Sequence, residues 1–258
     1  MTYQHLTFNV TGHIAHVRLN RPPVNALNRE LVSELTSLAH SLGPMGKVWI
    51  VELGASGKTF CAGADLKERK TIPDAKVGDV VSKIQAMTYA WMQVPQPVVV
   101  GLQGAALGGG LELALAGDLI VASDEAVLGF PEVSLGIIPA AGGTQRLAQR
   151  TSLGVAKKWV LTSRQFTSHE ALADGVIDAV VPAAAFESEL ASYVERLSRN
   201  APLSLRQAKA ALNKPYADWL KRGLEHELEM YYPLIKTHDR KEALEAFAKK
   251  RKPDWRGN

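Results

Sequence analysis

The stretch Gly104-Ala-Ala-Leu-Gly108-Gly109-Gly110-Leu-Glu112-Leu-Ala-Leu-Ala-Gly117-Asp118 constrains this chain more than any other. It follows the β-branched run Val98-Val99-Val100 and leads into an apolar, alanine-rich segment, which predicts a strand, a tight turn and a buried helix. Three consecutive glycines at such a junction leave backbone N–H groups uncovered and let another molecule approach the main chain. Those groups also lie at the positive end of the helix dipole, where a developing negative charge is stabilised. Glu112 follows among Leu111, Leu113 and Leu115. A carboxylate in that setting is expensive to bury ionised, and this marks it as a candidate for chemistry.

A second carboxylate, Glu132, follows Pro131 between Phe130 and Val133. Paired acids whose surroundings push their pKa values apart are a common means of moving protons near neutral pH. Peptide N–H donors from Ala62–Ala64 and from Gly108–Gly110 form a candidate oxyanion hole. The combination suits an enolate-like intermediate, with a carbonyl oxygen held by amides while carboxylates act on the neighbouring carbons.

At 258 residues, 46% hydrophobic and 22% charged, the sequence has the make-up of one large globular domain with a smaller appended part. No apolar run approaches the ~20 residues of a membrane span, so no membrane association is expected. The start, Met1-Thr2-Tyr3-Gln4-His5, shows neither a secretory nor a transit pattern, and the single cysteine, Cys61, fits a reducing compartment. The expectation is a cytoplasmic protein. The net charge is only +4, but Lys67, Arg69 and Lys70 cluster early and Lys249-Lys250-Arg251-Lys252 near the end. Such clusters read either as solvated faces or as a landing site for the phosphates of a small ligand.

Along the chain, residues 3–10 and 13–20 alternate as a hairpin. Asn28 caps a helix whose Leu31, Leu35, Leu38 and Leu42 share a face up to Gly43-Pro44. Residues 47–53 read as a buried strand, Asp65 as a helix cap, 74–93 as a helix and 118–122 as a strand. Residues 126–139 are apolar yet irregular in pattern. Helices follow at Gly142–Arg146, Leu153–Leu161 and His169–Ala173, then a strand over 175–181. From Pro182 the pattern is helical, with helices at 219–232 and 239–250. The resulting division is an α/β core over 1–195 and a helical C-terminal region over 196–258.

Other chemistries fit poorly. Gly57-Lys58-Thr59 is no phosphate loop, because Glu52 stands where that motif needs glycine. His226-Glu227 and His169-Glu170 lack the second histidine of a zinc helix, so no metal is expected. Ser134 and Cys61 have neither a nucleophile-elbow frame nor an evident histidine partner, and the glycines do not match a dinucleotide fingerprint.

The quoted segments resemble the crotonase (enoyl-CoA hydratase/isomerase) superfamily. The matching pieces are Phe60-Cys-Ala-Gly-Ala-Asp-Leu-Lys67, Gly104 to Ala114, Phe130-Pro-Glu132 to Pro139, and Gly142-Gly-Thr-Gln-Arg-Leu147. The likeness spans the chain, from Asn20-Arg-Pro…Asn25-Ala-Leu27 to Ala246…Pro253. It implies an α/β fold, a spiral of β-β-α units with a helical C-terminal region that builds homotrimers or dimers of trimers. It places the oxyanion-hole N–H groups at Ala64 and Gly109, and the two acids that hold a water at Glu112 and Glu132. Coenzyme A, part of the substrate rather than a cofactor, is implied to run along Ala62, Asp65, Leu66 and Lys67. Val24 and Ala26 lie near its pantetheine arm, and Lys250 reaches its phosphate, often from a neighbouring subunit. Phe130, Tyr231 and Phe247 are implied to line the acyl pocket. The implied activity is that of an acyl-CoA lyase adding water reversibly to an α,β-unsaturated thioester.

Within the superfamily, Phe60 to Arg69 and Thr237-His-Asp-Arg240…Arg251-Lys-Pro253 look most like methylglutaconyl-CoA hydratases of leucine breakdown. That substrate carries a distal carboxylate, for which Arg69 and Lys70 are the candidate cations. Ala140-Ala141 departs from the pattern, since many relatives have glycine there. The alternatives are a short-chain enoyl-CoA hydratase of fatty-acid oxidation and an RNA-binding protein of the same fold. Residues 29–42 carry Arg29 but no lysine, so no nucleic-acid partner is expected.

Overall fold

The computed structural model describes residues 3–258. Met1 and Thr2, part of the segment read above for targeting signals, lie outside the described residues. The chain opens with the hairpin of β1 (Leu6–Thr11) and β2 (Ile14–Leu19), followed by α1 (Arg29–Leu42), β3 (Ile50–Ala55), α2 (Leu66–Thr71) and α3 (Asp74–Met92). Next come β4 (Val98–Leu102), β5 (Ala106–Leu107), α4 (Gly109–Ala114), β6 (Leu119–Ser123) and β7 (Val127–Gly129). A 3-10 turn over Glu132–Leu135 precedes α5 (Gly143–Arg150), α6 (Leu153–Leu161), β8 (Gln165–Thr167), α7 (Ser168–Ala173) and β9 (Ala179–Val181). The C-terminal part consists of α8 (Phe186–Ser198), α9 (Pro202–Asn213), α10 (Ala217–Tyr231) and α11 (His238–Ala248).

The main sheet has the order β1-β2-β3-β4-β6-β9, parallel from β2 onward. Each parallel step leaves the sheet and returns, and the excursions make a second layer. That layer contains β5-β7-β8 and the isolated bridges Leu27–Ala64 and Cys61–Ala106. Covering both faces explains why β3 and β4 are buried throughout and read as continuous apolar runs. Val51, Leu53, Val98 and Val100 face the leucine stripe of α1 together with Met87 and Trp91 of α3. Ile50, Val99 and Val121 alternate to the other face, where Phe186, Leu190 and Val194 of α8 cover them. Position 195, the expected junction, lies inside α8.

Local signals account for several boundaries. The Asn28 side chain accepts a hydrogen bond from the Leu31 N–H at 3.0 Å and caps α1, whose four stripe leucines are fully buried. Burial of each contributes about 1.5–3 kcal/mol. The irregular stretch 126–139 holds β7 and the 3-10 turn, and β7 pairs antiparallel with β8, for which the sequence shows no strand signal. Three residues are too few for a period-two pattern to register. Of the strand expected over 175–181, only Ala179–Val181 is extended. Among the described residues no helix is long and apolar enough to cross a membrane.

Candidate active site

Gly108 ends β5 and caps α4 with φ +51° and ψ −126°, a conformation open to glycine. The first turn of α4 then lies against the loop 60–64. That loop lies so close that a methyl group on Gly110 would stand 2.7 Å from the Cys61 Cβ. Gly109 and Ala64 are neighbours across this contact, since a methyl group on Gly109 would lie 3.8 Å from the Ala64 nitrogen. Leu27 holds the loop, its N–H donating to Gly63 O at 2.8 Å and its carbonyl accepting from the Asp65 N–H at 3.0 Å. The two chain segments that carry the candidate oxyanion-hole amides therefore lie against one another.

Glu112 projects from the first turn of α4 and is 3% exposed. A single oxygen, Oε1, accepts from the Ala141 N–H at 2.7 Å and the Gly143 N–H at 2.8 Å. Burial raises its pKa, and the charge of Glu227 adds to this; the two amides and Arg146 pull the other way. The balance lies at about 8, against an ordinary 4.5. Glu132 starts the 3-10 turn, where Pro131 sets the entry of the chain, and is 8% exposed. Its carboxyl rests over the start of α4, because a methyl group on Gly108 would stand 2.5 Å from Glu132 Oε1. The buried Oε2 has no hydrogen-bond partner among the described residues. Burial, followed by the charge of Glu112, lifts Glu132 well above the ordinary carboxylate range. The two acids thus share one loop but differ in support: Glu112 is held by two amides from another segment, whereas Glu132 keeps one buried oxygen without a donor.

The chain segments implied to hold coenzyme A run side by side. The Ala62 N–H donates to Val24 O at 3.0 Å, and the Leu27–Ala64 bridge continues the pairing past Ala26. The Asp65 side chain is already engaged, capping α2 through the N–H groups of Lys67 at 2.9 Å and Glu68 at 3.2 Å and pairing with Arg21 at 2.8 Å. Leu66 is half-buried and Lys67 exposed. Lys250, also exposed, lies just past α11.

At the acyl end, Phe130 and Tyr231 are buried, whereas Phe247 is 59% exposed and shares a surface groove with Val133, Ser134 and Trp255. The two candidate cations part company, because adjacent residues on a helix face different ways. Lys70 points to solvent, while Arg69 is 7% exposed and donates to the Tyr231 hydroxyl. Among the described residues Arg69 has no carboxylate partner, and its charged neighbour is another cation, Arg240. Burial accordingly draws the Arg69 pKa below its usual value. Cys61 is excluded as a nucleophile at neutral pH, since burial pushes its thiol up to about 12.

Two residues of the cluster are not singled out by the sequence reading. Glu227, on α10, accepts from the Gly142 N–H at 2.7 Å, the Thr144 N–H at 3.1 Å and the Thr144 hydroxyl at 2.6 Å. Arg146, on α5, is buried between this acid and Glu112. A signal for Glu227 does exist. It falls on the buried stripe Leu220, Leu224, Glu227, Tyr231, where an unpaired carboxylate is out of place.

A parallel-strand spiral whose glycine turn presents two amides beneath a pair of buried acids defines the class of crotonase-fold α/β enzymes. Residues 9–258 match the enoyl-CoA hydratase/isomerase family, and the chain belongs to it. It is 42% identical over 247 residues, 95% of each chain, to the Bacillus subtilis (strain 168) protein YngF, named as a candidate enoyl-CoA hydratase/isomerase. It is 33% identical to the 2,3-dehydroadipyl-CoA hydratase of Escherichia coli (strain K12), over 93% of each chain. Among solved structures, an enoyl-CoA hydratase from Mycobacterium avium subsp. paratuberculosis K-10 superposes with a TM-score of 0.90 at 26% identity, covering 99% of this chain and 100% of that one. The chain is an enzyme of the enoyl-CoA hydratase type, with an acyl-CoA as substrate.

Proposed function

We propose that the enzyme adds water reversibly, in syn fashion, to 3-methylglutaconyl-CoA to give 3-hydroxy-3-methylglutaryl-CoA, as in leucine-type branched-chain breakdown. The thioester oxygen accepts from the Ala64 and Gly109 N–H groups, which stabilise it as charge develops. Glu112, supported as an anion by two amides, takes a proton from water while the water oxygen bonds to the β-carbon. Glu132, one of whose oxygens has no donor to support its charge, holds a proton and passes it to the α-carbon. A proton moving between the coupled acids restores the starting state. The observation that carries the reading is this unequal support of two carboxylates on one glycine loop. We further propose a homotrimer or a dimer of trimers through the C-terminal helices, supported by the exposed Leu203, Leu212, Trp219 and Met230.

Arg69 supports the choice of a dicarboxylic acyl group. A buried guanidinium without an anion is costly, and the free end of such a substrate supplies one. In kcat/KM measurements across crotonyl-, 3-methylcrotonyl- and 3-methylglutaconyl-CoA, the dicarboxylic thioester is expected to be the best substrate. Arg69→Met is expected to lower its kcat/KM about 30-fold or more, the effect of removing one partner of a buried charge pair. Turnover of crotonyl-CoA stays within a few-fold of wild type. A wild-type enzyme that prefers crotonyl-CoA by a wide margin is instead a general short-chain hydratase.

A further inference from the structure

The four successive amides Ala141, Gly142, Gly143 and Thr144 lead into α5 and are shared alternately by two carboxylates. Ala141 and Gly143 donate to Glu112, and Gly142 and Thr144 donate to Glu227. The proposed mechanism uses Glu112 only, and Glu227 is as deeply buried, at 2% exposure. Arg146 stands between them, with Nη1 donating to Ala141 O at 2.7 Å and to the Thr88 hydroxyl at 3.3 Å. Its Nε and Nη2 have no hydrogen-bond partner among the described residues. A guanidinium with only neutral acceptors in contact is balanced by charge nearby, and the carboxylates around it are Glu227 and Glu112.

We propose that Glu227 is a positioning residue for the hydration step: it clamps the 141–144 amides that orient Glu112 and holds the charge that keeps the two catalytic acids from ionising together. This rests on the reading of Glu112 and Glu132 as the proton-moving pair. Three donors support the Glu227 anion and two support Glu112, with Arg146 near both, and Glu132 has an oxygen without any. Charge therefore appears first at Glu227, next at Glu112 and last at Glu132, each step opposing the one after it. The titratable groups facing Glu227 are Arg146 from α5, Glu112 from α4 and Glu132 from the 3-10 turn; Tyr89 of α3 faces Arg146. Clamp and charge are separable, because an aspartate retains the charge but is too short to bridge Gly142 and Thr144.

The test is the pH dependence of kcat with crotonyl-CoA, whose short acyl group does not depend on Arg69. Glu112 works as the anion, so activity falls below its pKa, and removing a neighbouring negative charge lowers that pKa. Glu227→Gln is expected to move the acid limb down by on the order of one pH unit. Glu227→Asp is expected to leave the limb in place and lower kcat about tenfold, with KM within threefold in both variants. Equal limbs in Glu227→Gln and wild type overturn the proposal, as do equal shifts in Gln and Asp; a scaffold role alone lowers activity without moving the limb. A 13C carboxyl NMR titration of the wild-type enzyme covers the cases in which a variant fails to fold or crotonyl-CoA is not hydrated. Deprotonation of Glu227 before Glu112 and Glu132 is expected, and any other order sinks the proposal. Wild-type hydration with an unmoved limb removes the role of Glu227 alone. Absent hydration of crotonyl-, 3-methylcrotonyl- and 3-methylglutaconyl-CoA alike removes the reading of the pair.

Discussion

Glu132→Gln is expected to lower kcat for hydration of a conjugated acyl-CoA by about 10²–10⁴-fold, the usual contribution of a positioned general acid or base, with KM changed only a few-fold. Glutamine fills the same space over Gly108 but has no acidic proton for the α-carbon. Glu112→Gln is expected to lose a similar factor. Its fold is preserved, because one oxygen, Oε1, accepts both the Ala141 and Gly143 N–H groups, and a glutamine oxygen can do the same. The readout is loss of the conjugated thioester's ultraviolet absorbance, and full activity in both variants would refute the mechanism. The same substitution has an opposite effect on stability. Burial raises the folded-state pKa of Glu112 to about 8, so the folded chain binds that proton more tightly than the unfolded chain, whose value is the ordinary 4.5. The resulting stability is complete below about pH 4.5 and lost as pH rises through about 8. Glu112→Gln is therefore expected to melt above wild type near pH 9, and the gap should close towards about pH 5.

Gly108→Ala is expected to lower kcat about 10²-fold, the effect of misplacing a reacting group by about an ångström, and to destabilise the fold by about 1–3 kcal/mol. The new methyl group would stand 2.5 Å from Glu132 Oε1 and 3.3 Å from its Cδ, and φ +51° strains any side chain there. Gly175→Ala separates the two causes. That glycine has φ +75° with no atom within 4 Å of an added methyl group, so strain acts alone. Chemical denaturation should show a comparable loss for both variants, while activity falls only for Gly108→Ala. An active Gly108→Ala enzyme would mean that Glu132 does not act over this loop.

What could be read from the chain tracks how local each determinant is. The leucine stripe of α1 repeats over four turns, so its boundaries and buried face are legible, down to the Asn28 cap. The glycine turn and Glu112 are legible for a related reason, because strand, turn and buried helix follow one another directly. Strand β8 is not, since a three-residue strand acquires its identity from pairing with β7. Glu227 is half-legible: its place on the apolar stripe of α10 shows it to be buried, but its partners lie some 80 residues away. Read beside His226 alone, it suggests only an incomplete metal motif.

The longer elements, the amide-rich turn and the burial of two acids are written in the local pattern, because periodicity, glycine and apolar neighbours act within a few residues. That Arg69 turns inward against Tyr231 while Lys70 faces solvent, and that Glu112 and Glu227 divide one run of amides, follows from the folded arrangement alone. Those outcomes depend on fields and hydrogen bonds between segments far apart in the chain. Packing decides which of them meet, and nothing in the local pattern encodes that choice.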